Sequence, residues 1–266
     1  MKIQFASDLH LEEAPNCDFL KAHPIKVEGD ILVLAGDTFV LGKESAFFNG
    51  FIDWCSENFT QTFVLLGNHE FFGGHDIATT LGGWEMQLRH NVRFVNNMSF
   101  RLGDVELFFT TLWSRVSPHD EEAVNRHMRE CVTGTYSRCP FRACDYAAVH
   151  ELCLSWLDNS LKVSNAPAKV VVTHHSPVMV EDPKYANNRL SSAFLNPMED
   201  YVEQSGVDAW IFGHTHYGGA DGMRLGNTVL RTNQLGYAAK GVLPTYTPCA
   251  TITIPQNISN NPNITI

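Results

Sequence analysis

The 266-residue chain has no apolar stretch approaching the roughly 18 residues that a membrane span needs, and Met1-Lys2-Ile3-Gln4-Phe5 leads straight into strand-like sequence without a signal-peptide core. These two absences point to a soluble, cytoplasmic protein with no membrane partner. The seven cysteines also lack a pairing pattern: the number is odd, and Cys131, Cys139, Cys144 and Cys153 form no C-x-x-C unit. Neither a disulfide framework nor a structural zinc knuckle is indicated, so reduced thiols are expected. Four sequons, at Asn58, Asn97, Asn257 and Asn263, have no secretory context in which to act. There is no Lys/Arg-rich stripe: 19 basic residues against 29 acidic ones leave a net charge of −10, which argues against a long phosphate-tracking surface and a nucleic-acid partner. Internal repeats and low-complexity linkers are missing as well. Residues 1–254 therefore read as one domain, followed by a polar, Asn-rich tail at 255–266.

What is present is enough apolar sequence for a core, 44% hydrophobic against 18% charged residues. Short runs rich in β-branched and aromatic residues recur, and five of them stop at polar tips. Lys2–Ala6 ends in Ser7-Asp8-Leu9-His10, Ile31–Ala35 in Gly36-Asp37, and Phe63–Leu66 in Gly67-Asn68-His69-Glu70. Lys169–Thr173 runs into His174-His175-Ser176-Pro177, and Ala209–Phe212 into Gly213-His214-Thr215-His216. Helices are predicted over Ala46–Asn58, Asp76–Arg89, Asp120–Cys131 and Asp145–Val163. Further strands at Val92–Val95, Val105–Thr111, Thr228–Arg231 and Ala250–Ile254 are expected to build a second sheet. The order of elements implies an α/β protein with two packed sheets flanked by helices.

Loops at the carboxyl ends of strands converge on one crevice in such sheets, so the five tips can meet. Asp8 and His10 are two residues apart and share a face if the backbone is extended. Asp37 is a lone carboxylate after a glycine, suited to bridging two cations through its two oxygens. Asn68 offers an amide oxygen, while its neighbour His69 points elsewhere and is free to act on a substrate. His174 directly follows its strand; His175 could instead line the pocket. His214 and His216 repeat the two-residue spacing, about 6.6 Å between Cα atoms at ~3.3 Å per residue, a span that suits two ions ~3.5–4 Å apart. Four imidazoles, two carboxylates and an amide mix hard and borderline donors, which favours first-row transition ions such as Mn, Fe, Zn or Co over Mg²⁺ or Ca²⁺.

Asp-x-His, Gly-Asp, Gly-Asn-His-Glu, His and Gly-His-x-His, in this order between Asp8 and His216, resemble the motifs of the calcineurin-like metallophosphoesterase superfamily. Thr110–Arg115 and Thr173–Pro177 look like a bacterial branch of predicted phosphohydrolases within it. The resemblance implies a four-layer αββα sandwich of two mixed β-sheets flanked by helices, with a dinuclear centre. By that similarity Asp8, His10 and His216 would hold one metal, Asn68, His174 and His214 the other, and Asp37 would bridge them. Glu70 fits the acidic position that follows the family's catalytic histidine.

Such a centre would neutralise a phosphoester and supply a bridging hydroxide at neutral pH. His69 would protonate the leaving oxygen, its ring oriented by Glu70 or a backbone carbonyl. The expected substrate is a small phosphodiester; phosphomonoesters or nucleotide pyrophosphates are alternatives, and a nuclease is less favoured. A scaffold that binds metal without catalysis is the competing class, although no ligand is missing here. Arg115, His150, Tyr185, Asn187, Asn188, Arg189, Asn233 and Tyr237 lie near the tips as substrate contacts or ordinary loop residues. Residues 114–146 are where a substrate-selecting cap would sit, with Arg126, Arg129, Arg138 and Arg142 available for anions.

Overall fold

The computed structural model describes residues 1–186 and 188–254; Asn187 and the 255–266 tail lie outside the described residues. The chain opens with β1 (Lys2–Ala6), α1 (Ala14–Ala22), β2 (Ile31–Leu34), α2 (Ala46–Asn58) and β3 (Gln61–Leu65), and then forms a hairpin of β4 (Trp84–Arg89) and β5 (Val92–Asn96). A second hairpin, β6 (Met98–Leu102) and β7 (Val105–Thr110), leads into α3 (Glu121–His127), α4 (Arg129–Thr133) and the small ribbon β8 (Thr135–Tyr136) and β9 (Cys139–Pro140). The long α5 (Ala143–Val163) is followed by β10 (Ala168–Thr173), α6 (Glu199–Gln204), β11 (Ala209–Phe212), β12 (Arg224–Leu225), β13 (Thr228–Thr232) and β14 (Thr251–Thr253). Two six-stranded sheets result, ordered β14-β1-β2-β3-β5-β4 and β12-β13-β11-β10-β7-β6. In each, four parallel strands are closed at both edges by an antiparallel one.

Side-chain alternation along the strands builds three apolar layers. Ile31 and Val33 point between the sheets with Phe5, Phe63, Leu107, Val170 and Ile211, while Leu32 and Leu34 point outward against Phe48, Ile52 and Cys55 of α2. On the far side Phe108, Val171 and Trp210 pack under Leu157 and Leu161 of α5 and Val202 of α6. Helices, sheet, sheet, helices is the αββα sandwich.

Three expectations are corrected. The helix over Asp76–Arg89 does not form: Asp76 caps only a short 3₁₀ turn, its carboxylate accepting from the Ala78 amide at 2.9 Å, and Trp84–Arg89 is a strand. Trp84, Met86 and Leu88 recur every second residue and lean on the core, so a period of two prevailed after the Gly82-Gly83 break. The later strands also do not make a sheet of their own. β5 and β14 join β1, β2 and β3, and β7 and β13 join β10 and β11, so the five polar tips are divided between the sheets. The helix expected over Asp120–Cys131 is broken at Met128, whose backbone is extended.

Where α4 meets α5, buried Glu130 accepts the Tyr146 hydroxyl at 2.5 Å. Burial pushes its carboxyl up, and the Tyr146 bond only partly opposes this. A carboxyl raised on folding binds its proton more tightly in the folded chain, so stability falls as pH climbs from the unfolded value of 4.5 through the raised one. Glu130→Gln, which keeps the acceptor, should flatten that fall in urea melts as the pH is raised above 4.5; an unchanged slope would place its origin elsewhere.

Candidate metal centre

All five tips meet at one end of the packed sheets, by a backbone route that an extended reading misses. Asp8, His10, Asp37, His214 and His216 have φ of 55°, 45°, 51°, 71° and 47°, the left-handed region. Asp, Asn and His tolerate it better than most, but such clustering at one place carries strain of the kind functional sites store. The two-residue pairs therefore converge through curled backbone. The glycines before the tips are required by close approach: a Cβ on Gly36, itself at φ 90°, would run into the His174 ring, and one on Gly67 into the Asp37 carboxylate.

The described residues form three groups whose ligand-type atoms lie within 4.8 Å of one another: Asp8 with His10 and His216, Asp37 with His174 and His214, and His10 with Asp37 and His69. Asp37 belongs to two groups and stands between the others. All are buried except His216, whose side chain is 26% exposed. His216 Nε2 is 3.1 Å from Asp8 Oδ1 and 3.1 Å from His10 Nε2; His174 Nε2 is 3.2 Å from Asp37 Oδ1. The far nitrogens are engaged: His174 Nδ1 meets the Ala35 carbonyl at 2.8 Å and His10 Nδ1 meets Glu12 at 3.2 Å, which turns both Nε2 lone pairs inward. His175 faces away, bonded to Ser114 Oγ at 2.7 Å, with its ring 4.1 Å from that of His214 and tilted against it.

Asn68 completes the donor set. Its side-chain amide lies 3.1–3.2 Å from both Asp37 oxygens, His174 Nε2 and His214 Nδ1. A carboxylate, an amide and imidazoles brought this close together are a donor set that suits a divalent transition ion. Electrostatics agree. Burial opposes charge on Asp8 and Asp37, yet neighbouring imidazoles hold both carboxyls below the ordinary range, Asp37 well below. Burial would lower His174, but Asp37 carries it up to about 9, whereas burial and adjacent rings push His214 well down. Anionic oxygens and neutral imidazole are the forms that bind a metal ion, and His174 would release a proton on doing so.

Two neighbours of His69 differ from expectation. The carboxylate at its Nδ1 is that of Glu12, at 2.7 Å, not Glu70. Glu70 is buried, and its oxygens accept the amides of Gly67 (2.7 Å), Thr38 (2.8 Å), Asp37 (3.1 Å) and Phe39 (3.2 Å), tying the second tip to the third. Burial and the Asp37 charge raise its carboxyl to about 7 against those amides. Glu12 escaped the sequence reading, although Asp8, His10 and Glu12 continue a two-residue alternation. Tyr237 is the other neighbour: its hydroxyl is 3.2 Å from His69 Nε2 and its ring stacks on His10 at 4.5 Å.

Of the remaining loop residues, Tyr185 and Asn188 line the cavity over the centre. Asn233 bonds the Phe5 and Thr247 carbonyls, His150 bonds the Leu112 carbonyl, and Arg115 pairs with Glu151, so these three serve the scaffold. Arg189 bonds the His119 carbonyl, Arg126 pairs with Glu122, and Arg142 bonds the Cys131 carbonyl.

The profile of the calcineurin-like phosphoesterases matches residues 1–218. The chain belongs to that family. As a metallophosphoesterase it is a hydrolase of phosphoesters, and the His/Asp groups are its metal-binding cluster. An uncharacterised protein of Acanthamoeba polyphaga mimivirus is 26% identical to this phosphoesterase over 284 residues, covering 97% of this chain and 99% of that protein. Among solved structures, the phosphopantetheinyl hydrolase PptH of Mycobacterium tuberculosis superposes with a TM-score of 0.67 at 14% identity over 96% of each chain. A dimetal phosphatase of Danio rerio gives 0.46 at 14% identity over 94% of this chain and 91% of that one. At that identity the likeness to PptH concerns the fold. No helix of the described residues is long and apolar enough to cross a membrane.

Proposed function

We propose that this phosphoesterase hydrolyses small phosphodiesters with two transition-metal ions, Asp8, His10 and His216 holding one, Asn68, His174 and His214 the other, and Asp37 shared between them. The observation that carries this reading is the convergence of Asp8, His10 and His216 and of Asp37, His174 and His214 into two adjacent groups, with ligand-type atoms within 4.8 Å of one another in each. When bound, the ions supply Lewis acidity, neutralising phosphoryl oxygens and making water acidic enough to provide a nucleophile near pH 7.

The chain's own residues supply the proton. His69 sits at the edge of the cluster, Nδ1 on Glu12 and Nε2 beside the Tyr237 hydroxyl, 3.7 Å from Asp37 Oδ2. Its Nε2 is the atom that would protonate a departing alkoxide. Glu12 fixes the ring and offers a counter-charge when both nitrogens are protonated. Although burial pushes the Glu12 carboxyl up, its bonds to His10 and His69 bring it down to about 2, so it is a carboxylate at working pH. Glu70 is a positioning residue that acts through the backbone of Asp37 and Gly67.

Glu12→Gln keeps the shape and loses the charge. It should lower kcat at saturating Mn²⁺ by about 10–100-fold and also weaken metal affinity, because Glu12 orients the His10 ring as well; unaltered kcat would remove Glu12 from the mechanism. The function itself is tested by metal analysis beside hydrolysis of bis(p-nitrophenyl) phosphate and p-nitrophenyl phosphate with Mn²⁺. Bound metal with faster diester than monoester turnover supports the reading, and bound metal with no turnover of either favours a scaffold.

A further inference from the structure

A cavity of about 530 Å³ opens over the centre, and its wall carries cluster residues Asp37, Asn68, His214 and His216 together with three cations, Arg129, Lys184 and Lys240. Arg115, Arg126 and Arg189 are each tied to a carboxylate. The three cavity cations have no carboxylate partner among the described residues, and each lies over an aromatic ring instead: Arg129 4.9 Å from the centre of Phe72, Lys240 4.8 Å from Tyr237, Lys184 5.2 Å from Tyr185. In a chain of net charge −10 this cavity collects cations left available for a ligand.

Two of the rings also touch the reacting groups. Phe72 lies 4.2 Å from the His69 ring, and Tyr237 stacks on His10. Arg129, at the break between α3 and α4, and Lys240, in the turn after β13, are thus each one aromatic ring removed from a histidine of the reacting group. A phosphoryl group at the cluster already meets the metal site and His69. The same wall also carries Glu13, Glu130, Glu181 and Asp182, the last three hydrogen-bonded by the Tyr146 hydroxyl, the Ser191 hydroxyl and the Lys184 amide and none of them paired with Arg129 or Lys240 among the described residues.

We infer that the substrate carries a second phosphate beyond the reacting one, and that Arg129 and Lys240, the free cations beside the rings that touch His69 and His10, bind it. The guanidinium suits two phosphate oxygens at once and the ammonium adds a point charge. The inference rests on the phosphodiester reading and narrows its substrate class.

The test is equilibrium binding by calorimetry of thymidine 3′,5′-bisphosphate and thymidine 5′-monophosphate to the Mn²⁺-loaded protein. The bisphosphate should bind about 10-fold tighter or more. Arg129→Gln and Lys240→Gln should each narrow that ratio, and both together should bring it to about 2-fold, whereas Arg129→Lys with Lys240→Arg should retain most of it. Equal affinity of the two ligands for the native protein overturns the inference, as does an equal weakening of both by the Gln variants. Failure of the native protein to hydrolyse bis(p-nitrophenyl) phosphate would instead strike the catalytic reading, and the binding ratio remains readable in that case.

Discussion

His69→Asn should lower kcat on an alkyl phosphodiester by about 10²–10⁴-fold while leaving metal content as in the native protein. His69 is adjacent in sequence to the cluster residue Asn68, yet its ring turns aside to Glu12 at 2.7 Å and the Tyr237 hydroxyl at 3.2 Å. An asparagine preserves the backbone amide that donates to Asp37 Oδ1 at 2.9 Å, so the cluster should keep its shape. The loss should depend on the leaving group, because a p-nitrophenolate departs without a proton and an alkoxide does not. Comparing kcat for bis(p-nitrophenyl) phosphate and a dialkyl ester separates the two: the variant should be impaired far more on the second. Equal impairment on both would indicate a positioning role, and full activity on the alkyl ester would exclude His69 as the acid.

Asp37→Asn should cost both metals, the second large effect. Asp37 is buried, belongs to two of the three candidate groups, and lies within reach of His174, His69 and the Asn68 amide. The amide keeps an oxygen for the His69 N–H but removes the charge that two cations would share, so metal content should fall from about two ions per chain to less than one. Stability gives an independent readout. A ligand at ~1,000 times its Kd stabilises the folded state by about 4 kcal/mol, so added Mn²⁺ should raise the Tm of the native protein strongly and that of the variant little. A variant that retains two ions would remove Asp37 from the centre.

The polar tips were legible because each closes a β-branched run, and Asp8, His10, Asp37, Asn68, His174, His214 and His216 all arrive at one place. The backbone route was not legible. Spacing by two suggests an extended strand, whereas the positive φ values of Asp8, His10, His214 and His216 arise from loops packed against other loops, through bonds such as the His214 amide to Asp8 at 3.1 Å. Division of the strands between sheets is also non-local: β14 pairs with β1 across nearly the whole described chain, and no local pattern encodes that. Glu70 illustrates the same limit, since four backbone donors claim it from Gly67 and from residues 37–39. The Asp76–Arg89 helix failed because Trp84, Met86 and Leu88 satisfy a strand period that a helical reading passed over.

The central claim, two adjacent ions held by seven converging side chains, is tested most directly by anomalous diffraction from Mn²⁺-soaked crystals. Two peaks roughly 3.5–4 Å apart are expected, one against Asp8, His10 and His216, the other against Asn68, His174 and His214, with Asp37 touching both. A single peak, or none with these side chains still converged, would contradict it.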